Sequence, residues 1–211
     1  MKKVLLFVLI ALVGFSCEKD PIQYTFEGTI TEDQAGSALS GAEVTIYQKP
    51  FNNSLTTDNF VIGGTSISDA SGNYSITFDR EKITEFKINI TKDNYFKKDI
   101  ILNSGEISSE NINVHDYEME AESWVKFNIS NSFPSNAADE LQLLLSNYRE
   151  GCEECAEYDS YSFPGITDTS VKFASTAGKY FNFVAISLGE SSIFDSVYMT
   201  PFDTSFYSIN Y

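Results

Sequence analysis

The 211-residue sequence predicts an all-β chain built as two β-sandwich domains, and three features predict it. Apolar and polar residues alternate with period 2 through both halves, the pattern of strands with one buried and one wet face. Gly, Asn, Asp and Ser clusters interrupt these runs at short intervals, as turns between strands do. Helical signals are confined to two stretches. Residues 79–85 suffice only for a turn, and Leu141 to Leu145 is a continuous apolar run read as a buried strand after one turn at 137–140.

The elements follow in order. Tyr24, Phe26 and the segment Gly28 to Ile30 open a first strand. Ala42, Val44 and Ile46 alternate with Glu43, Thr45 and Tyr47 in a second. Phe60 to Ile62 and Thr65 to Ile67 flank Gly63-Gly64. Tyr74, Ile76 and Phe78 alternate, as do Phe86, Ile88 and Ile90, and Ile100 to Leu102 and Ile112 to Val114 close the block. The second block carries strands at 124–129, 170–173, 180–188, 197–202 and 206–211, with Ala174 to Lys179 read as a hairpin connection. The polar stretch Met119 to Ser123 is the boundary. It leaves a first sandwich at 24–118 and a second at 119–211, both of ordinary domain size. No tandem repeat of fixed period is visible.

Composition narrows the function. Fourteen Lys plus Arg against 30 Asp plus Glu give a net charge of -16. Phosphate backbones repel such a chain, so no nucleic-acid partner is expected. The charge favours solubility and contact with cations, neutral glycans or basic proteins. Hydrophobic residues at 42% and aromatics at 14% are too many for a disordered chain. One His and three Cys leave little for a zinc, haem or iron–sulfur site, so no cofactor and no metal are expected. The single His also argues against a Ser-His-Asp hydrolase.

The N-terminus reads as a processing signal. Lys2 and Lys3 precede an apolar run from Val4 to Phe15, 12 residues long and short of the roughly 20 a membrane-spanning helix needs. Ser16 and Cys17 follow, then acidic sequence from Glu18. This segment resembles a bacterial lipoprotein signal, although Gly14 stands where such signals usually carry Leu. The resemblance implies a signal peptide at 1–16, acylation of Cys17, a linker at 17–23 and attachment to a membrane through lipid. Glu18, Lys19 and Asp20 are similar to export tags that place lipoproteins on the cell surface. The expected location is the outer membrane, on its surface or its periplasmic face. An ordinary secretory signal, with Cys17 incidental, is the plainer alternative.

Residues from about Phe26 to Leu102 carry a further pattern. Phe26-Glu27-Gly28-Thr29-Ile30, Leu39-Ser40-Gly41-Ala42-Glu43-Val44-Thr45-Ile46 and Ser68-Asp69-Ala70-Ser71-Gly72-Asn73-Tyr74 resemble the carboxypeptidase regulatory-like domain, a transthyretin-like (prealbumin-like) sandwich. Asn94-Tyr95 stands where that family often has Gly-Tyr. The resemblance implies a structural or binding module with no catalytic residues to carry over. Independently, Gly41 and Gly72 fall where a chain reverses and positive φ is easiest for Gly. Asp69 is placed to accept backbone N–H groups within the Gly72 turn, which the resemblance implies is a hairpin, and Tyr74 to turn its ring inward. The polar stretch 51–59 is a candidate contact loop.

Cys152-Glu153-Glu154-Cys155 is the sharpest chemical motif. A redox dithiol needs a stabilised thiolate, which Glu150, Glu153, Glu154 and Glu157 oppose. Zinc needs two more soft ligands, and only His115 offers itself beyond carboxylates. A disulfide that stiffens the acidic loop needs nothing else. Tyr158, Tyr161 and Phe163 are a candidate sugar-stacking surface, with cover for the second sandwich as the plainer role. Trp124 is read as packing. Glu32, Asp33, Asp168 and Asp203 lack the spacing of a calcium loop and read as solvated surface. No phosphate-cradling Gly-rich loop is present. The expectation is a non-enzymatic, lipid-anchored envelope lipoprotein acting as a binding or assembly module. A glycan-binding accessory of a polysaccharide-uptake system is the alternative, an enzyme with a hidden carboxylate pair or a peptidase inhibitor or complex scaffold the further ones.

Overall fold

The computed structural model describes residues 21–51, 59–134, 139–146, 149, 152, 155, 160–187 and 192–211. The chain is all-β. In the first half run β1 (Gln23–Glu32), β2 (Glu43–Pro50), β3 (Val61–Ile67), β4 (Asn73–Asp79), β5 (Ile83–Thr91), β6 (Lys98–Asn103), β7 (Asn113–Val114) and β8 (Tyr117–Met119). In the second run β9 (Glu122–Asn131), β10 (Glu140–Leu145), β11 (Ser160–Pro164), β12 (Thr167–Thr176), β13 (Tyr180–Ser187), β14 (Ser192–Tyr198) and β15 (Thr204–Asn210). A 3₁₀ turn at Ser104–Glu106 is the helical element among the described residues.

The two halves repeat one topology. In the first, β1 lies between antiparallel β4 and parallel β7 and β8, and the facing sheet runs β3-β2-β5-β6. In the second, β9 lies between antiparallel β12 and parallel β15, and the facing sheet runs β11-β10-β13-β14. The duplication is invisible to a search for tandem repeats because it resides in strand order, while loop lengths and side chains differ.

Each half buries its own core. Phe26, Ile30, Val44, Ile46, Phe86, Ile88 and Ile90 are sealed from solvent in the first. Val125, Phe127, Leu141, Leu143, Phe181 and Phe183 fill the second. Burying a side chain of this size contributes roughly 1.5–3 kcal/mol. Aromatic edges meet faces in both, with Phe26 against Phe86 at 5.2 Å between centroids and Phe127 against Phe183 at 4.9 Å.

Several sequence expectations need correction. Val61 to Ile67 is one strand that includes Gly63 and Gly64, and a register shift in β2 between Ile46 and Tyr47 absorbs the irregularity. The Gly72 turn is no hairpin: β3 pairs with β2 and β4 with β1, so the turn carries the chain between sheets. Its chemistry is as expected. The Asp69 carboxylate accepts the Ser71 and Asn73 amides at 2.8 and 2.9 Å, Gly72 has φ +79°, and Tyr74 is buried. Ala174 to Thr176 finish β12, and 177–179 are likewise an inter-sheet crossing, held by Ala177 N–H to the Ala121 carbonyl (2.9 Å) and Gly178 N–H to that of Met199 (2.7 Å). The expected strand at 197–202 lies earlier, at Ser192–Tyr198. Pro201, which has no N–H, and Phe202 at φ 64° occupy a turn instead. Met119 to Ser123 is polar in composition yet Met119, Ala121 and Ser123 are buried: Met119 belongs to the first core, Ala121 bridges to Tyr95, and the Ser123 hydroxyl donates to the Thr200 and Asp203 carbonyls. Residues 137–138 of the expected turn lie outside the described residues.

Candidate functional site

Two regions concentrate side chains that packing within one core does not explain. The first is the seam between the halves. Phe96 of the first half packs with Trp124, Ala174, Cys152 and Cys155 of the second. Cys152 and Cys155 are joined as a disulfide with Cα atoms 5.3 Å apart, and Cys155 forms a β-bridge with Ala174. The cross-link therefore lies in the seam itself. Arg149 stacks its guanidinium on the Phe96 ring, 4.1 Å from the centroid, and pairs with Glu120. Lys179 reaches Asp33 at 3.3 Å and Glu120 at 3.5 Å. The Gln34 side-chain amide at 2.6 Å, and Lys179 after it, hold the Asp33 carboxyl below the usual carboxylate range.

The second region is the outward face of β10, β13 and β14. Strand alternation turns Leu143, Phe183 and Ala185 into the core and leaves Leu144, Asn182, Val184, Phe194, Ser196, Tyr180 and Tyr198 outside. Leu144, Val184 and Phe194 stand side by side in register, and Phe194 is 78% exposed. Tyr180 and Tyr198 face each other edge to face, with centroids 5.3 Å apart and both rings exposed. An open groove of about 490 Å³ follows Leu144, Ser146, Asn182, Val184, Phe194 and Ser196. Among the described residues, the charges here are peripheral. Glu140 accepts the Ser162 hydroxyl at the far end. Asp195 on the groove rim accepts the Tyr207 hydroxyl and the Ser196 amide, both at 2.7 Å, which lowers its pKa.

The expected site residues scatter. Cys17 and Tyr158 lie outside the described residues, as do residues 52–58 of the candidate contact loop. Tyr161 and Phe163 pack against the second core, because inward positions alternate with outward Ser160 and Ser162; the Tyr161 ring lies 4.9 Å from that of Phe173. Trp124 sits in the seam under the Lys172 ammonium, 4.7 Å from its ring. The His115 ring lies in the first half parallel to that of Tyr117, its carbonyl accepts the Tyr74 hydroxyl at 2.8 Å, and burial lowers its pKa against an opposing pull from Asp116. Asp203 caps its own turn through the Thr204 amide, whereas Asp168 is exposed near the start of β12. Among the described residues no three His, Cys, Asp or Glu side chains gather as metal ligands would.

The outward face of β13 and β14 is what sequence reading missed. Its signal was present: Tyr180-Phe181-Asn182-Phe183-Val184-Ala185-Ile186 carries apolar or aromatic residues on both faces of one strand.

No family model matches the chain, and no curated protein matches it. Solved structures do, faintly. The Bacillus anthracis TIE protein is 12% identical with a TM-score of 0.38; the match covers 90% of this chain and 34% of that one. The minor pilin GBS52 of Streptococcus agalactiae is 9% identical with a TM-score of 0.38, over 89% of this chain and 94% of the pilin. A hydroxyquinol 1,2-dioxygenase of Pseudomonas putida is 13% identical with a TM-score of 0.36, over 49% of this chain and 58% of the enzyme. The chain thus spans about a third of the TIE protein's length, and likenesses this distant decide nothing about activity.

Proposed function

We propose that this chain is a lipid-anchored protein of the cell envelope that works by contact, a binding or assembly module rather than an enzyme. The anchor reading rests on Lys2-Lys3, the apolar run Val4 to Phe15 and Ser16-Cys17 in the sequence. Two acyl chains or more on Cys17 would hold the body durably at a membrane, since one chain binds only marginally. No described helix is long and apolar enough to cross a bilayer, which suits a tethered body.

The observation that carries the contact reading is the outward face of β10, β13 and β14. It exposes Phe194, Tyr180 and Tyr198 on a chain whose net charge is -16. Exposed aromatics gathered on a rigid sheet mark contact surfaces. The first half, with its carboxypeptidase regulatory-like pattern, serves in this reading as a spacer between tether and contact face. Fractionation of cells producing the wild-type chain and Cys17→Ala tests the anchor. Wild type is expected in the membrane fraction and the variant in the soluble extracytoplasmic fraction. Retention of the variant in membranes refutes it.

A further inference from the structure

We propose that the outward face of β10, β13 and β14 is a platform for a neutral, hydroxyl-rich glycan, with Phe194, Tyr180 and Tyr198 as stacking rings and Asn182 and Ser196 as hydrogen-bonding groups. The inference rests on the contact reading above and names the ligand class for that face.

Three observations select this class. A sugar ring presents a C–H face and a rim of hydroxyls. It therefore needs an exposed flat aromatic with neutral donors and acceptors close by. Phe194 is 78% exposed, and its strand neighbour Ser196 pairs in register with Asn182 across β13. Tyr198 and Tyr180 form the next aromatic station along the same two strands, at a single cross-strand pair. The open groove beside Phe194, of about 490 Å³, sets Leu144, Val184 and Phe194 among the polar side chains of Ser146, Asn182 and Ser196.

Charge excludes the rival occupants. An anionic polymer meets a chain of net charge -16, and so does a second copy of this protein. A basic protein would find its complement on the acidic surfaces elsewhere. The Asp195 carboxylate turns to the other side of β14, toward Tyr207 of the facing sheet, and Glu140 stands at the far end of this face. What remains is a ligand that carries no charge, offers hydroxyls and has a flat apolar side.

Affinity electrophoresis of the full chain in detergent tests the proposal. The gels contain neutral glucans, mannans or galactans, or polygalacturonate as the anionic comparison. At least one neutral polysaccharide is expected to retard the wild type, and polygalacturonate is not. Phe194→Ala with Tyr198→Ala is expected to bind about tenfold more weakly or worse, as loss of aromatic anchors does. Tyr47→Ala, in the matching outward row of the first half, binds as wild type. Circular dichroism confirms that each variant is folded, and Phe194→Ser repeats the test if the double variant is not. Absence of retardation by any neutral polysaccharide, retardation unchanged in the folded variants, or sedimentation showing a dimer that Phe194→Ser dissociates would each overturn the proposal. Release of Cys17→Ala from membranes is read separately, so the glycan assignment can fail while the anchored reading stands.

Discussion

The same sheet appears twice in this molecule with opposite surface chemistry. Tyr47, Lys87 and Ile101 form one outward row across β2, β5 and β6; its counterpart across β10, β13 and β14 is Leu144, Val184 and Phe194. In the first half the Lys87 ammonium lies over the Tyr47 and Phe60 rings at 4.7 and 5.1 Å. The neighbouring rows carry the Lys49–Glu85 ion pair at 3.2 Å and the Asn89–Asp99 hydrogen bond at 2.9 Å. The matching rows of the second half hold Asn182 with Ser196 and Ile186 with Ser192. On the first face paired charges stand among exposed aliphatic side chains, Ile62, Ile67 and Ile101. The second face carries its charge at the far end, on Glu140, and leaves its rings exposed. Identical backbone order thus separates what folding requires, the inward rows, from what contact requires, the outward ones.

The comparison can be broken most forcefully in the cores. Phe86 and Phe183 occupy the same station, opposite Gln48 and Leu145 respectively. Phe86→Ala and Phe183→Ala should each cost about 3–5 kcal/mol, measured by urea unfolding. A cost below about 1 kcal/mol at either site would mean that the two positions are not equivalent. The turns between sheets give the next effect. Gly72→Ala puts a Cβ 2.4 Å from the Ile30 carbonyl oxygen at φ +79°, whereas Gly165→Ala, at φ +61°, meets nothing within 4 Å. Gly165→Ala should cost about 1–2 kcal/mol from the left-handed backbone alone. Gly72→Ala should cost clearly more, and the reverse order would contradict the geometry.

A smaller effect, of opposite sign, is expected at Gln48. It is buried with its Oε1 lacking a hydrogen-bond partner, at the station where the second half places Leu145. Gln48→Leu should stabilise the protein by about 1 kcal/mol, by removing an unsatisfied buried acceptor. Destabilisation would show that the amide is needed. The smallest effect is the acid response of the first half. Burial holds the His115 pKa below 6.5, so the unfolded chain binds the proton first as pH falls. Stability should therefore decline as pH drops below about 6.5, until the folded-state value is passed. His115→Gln should flatten that decline. Midpoints of urea denaturation between pH 5 and 7 measure it, and an unchanged slope would remove His115 as its source.

Much of the fold was legible because period-2 alternation records burial directly. Phe86, Ile88 and Ile90, or Leu141, Leu143 and Leu145, show their faces without coordinates. Pairing was less legible. The Gly72 turn has hairpin chemistry in its Asp69 and Gly72, yet the partners of β3 and β4 are set by sheet membership, which no local residue encodes. The repeated topology escaped for the same reason. For the candidate site, the cysteine pair was read as a disulfide and is one, but its placement against Phe96 depends on contacts distant in sequence. Tyr161 and Phe163 take the plainer of their two expected roles, cover for the second core, because alternation with Ser160 and Ser162 turns them toward it. Tyr180 and Tyr198 fall in expected strands and Phe194 in none, and the face they share shows only once the register of β13 with β14 is known.

The most direct test follows backbone amide signals of isotope-labelled protein during titration with the neutral polysaccharide that retards it. Shifts confined to Leu144, Tyr180, Asn182, Val184, Phe194, Ser196 and Tyr198, with Tyr47, Lys87 and Ile101 unmoved, are the predicted result. Shifts centred on the first half's outward sheet, or on the seam around Phe96 and Trp124, would contradict it.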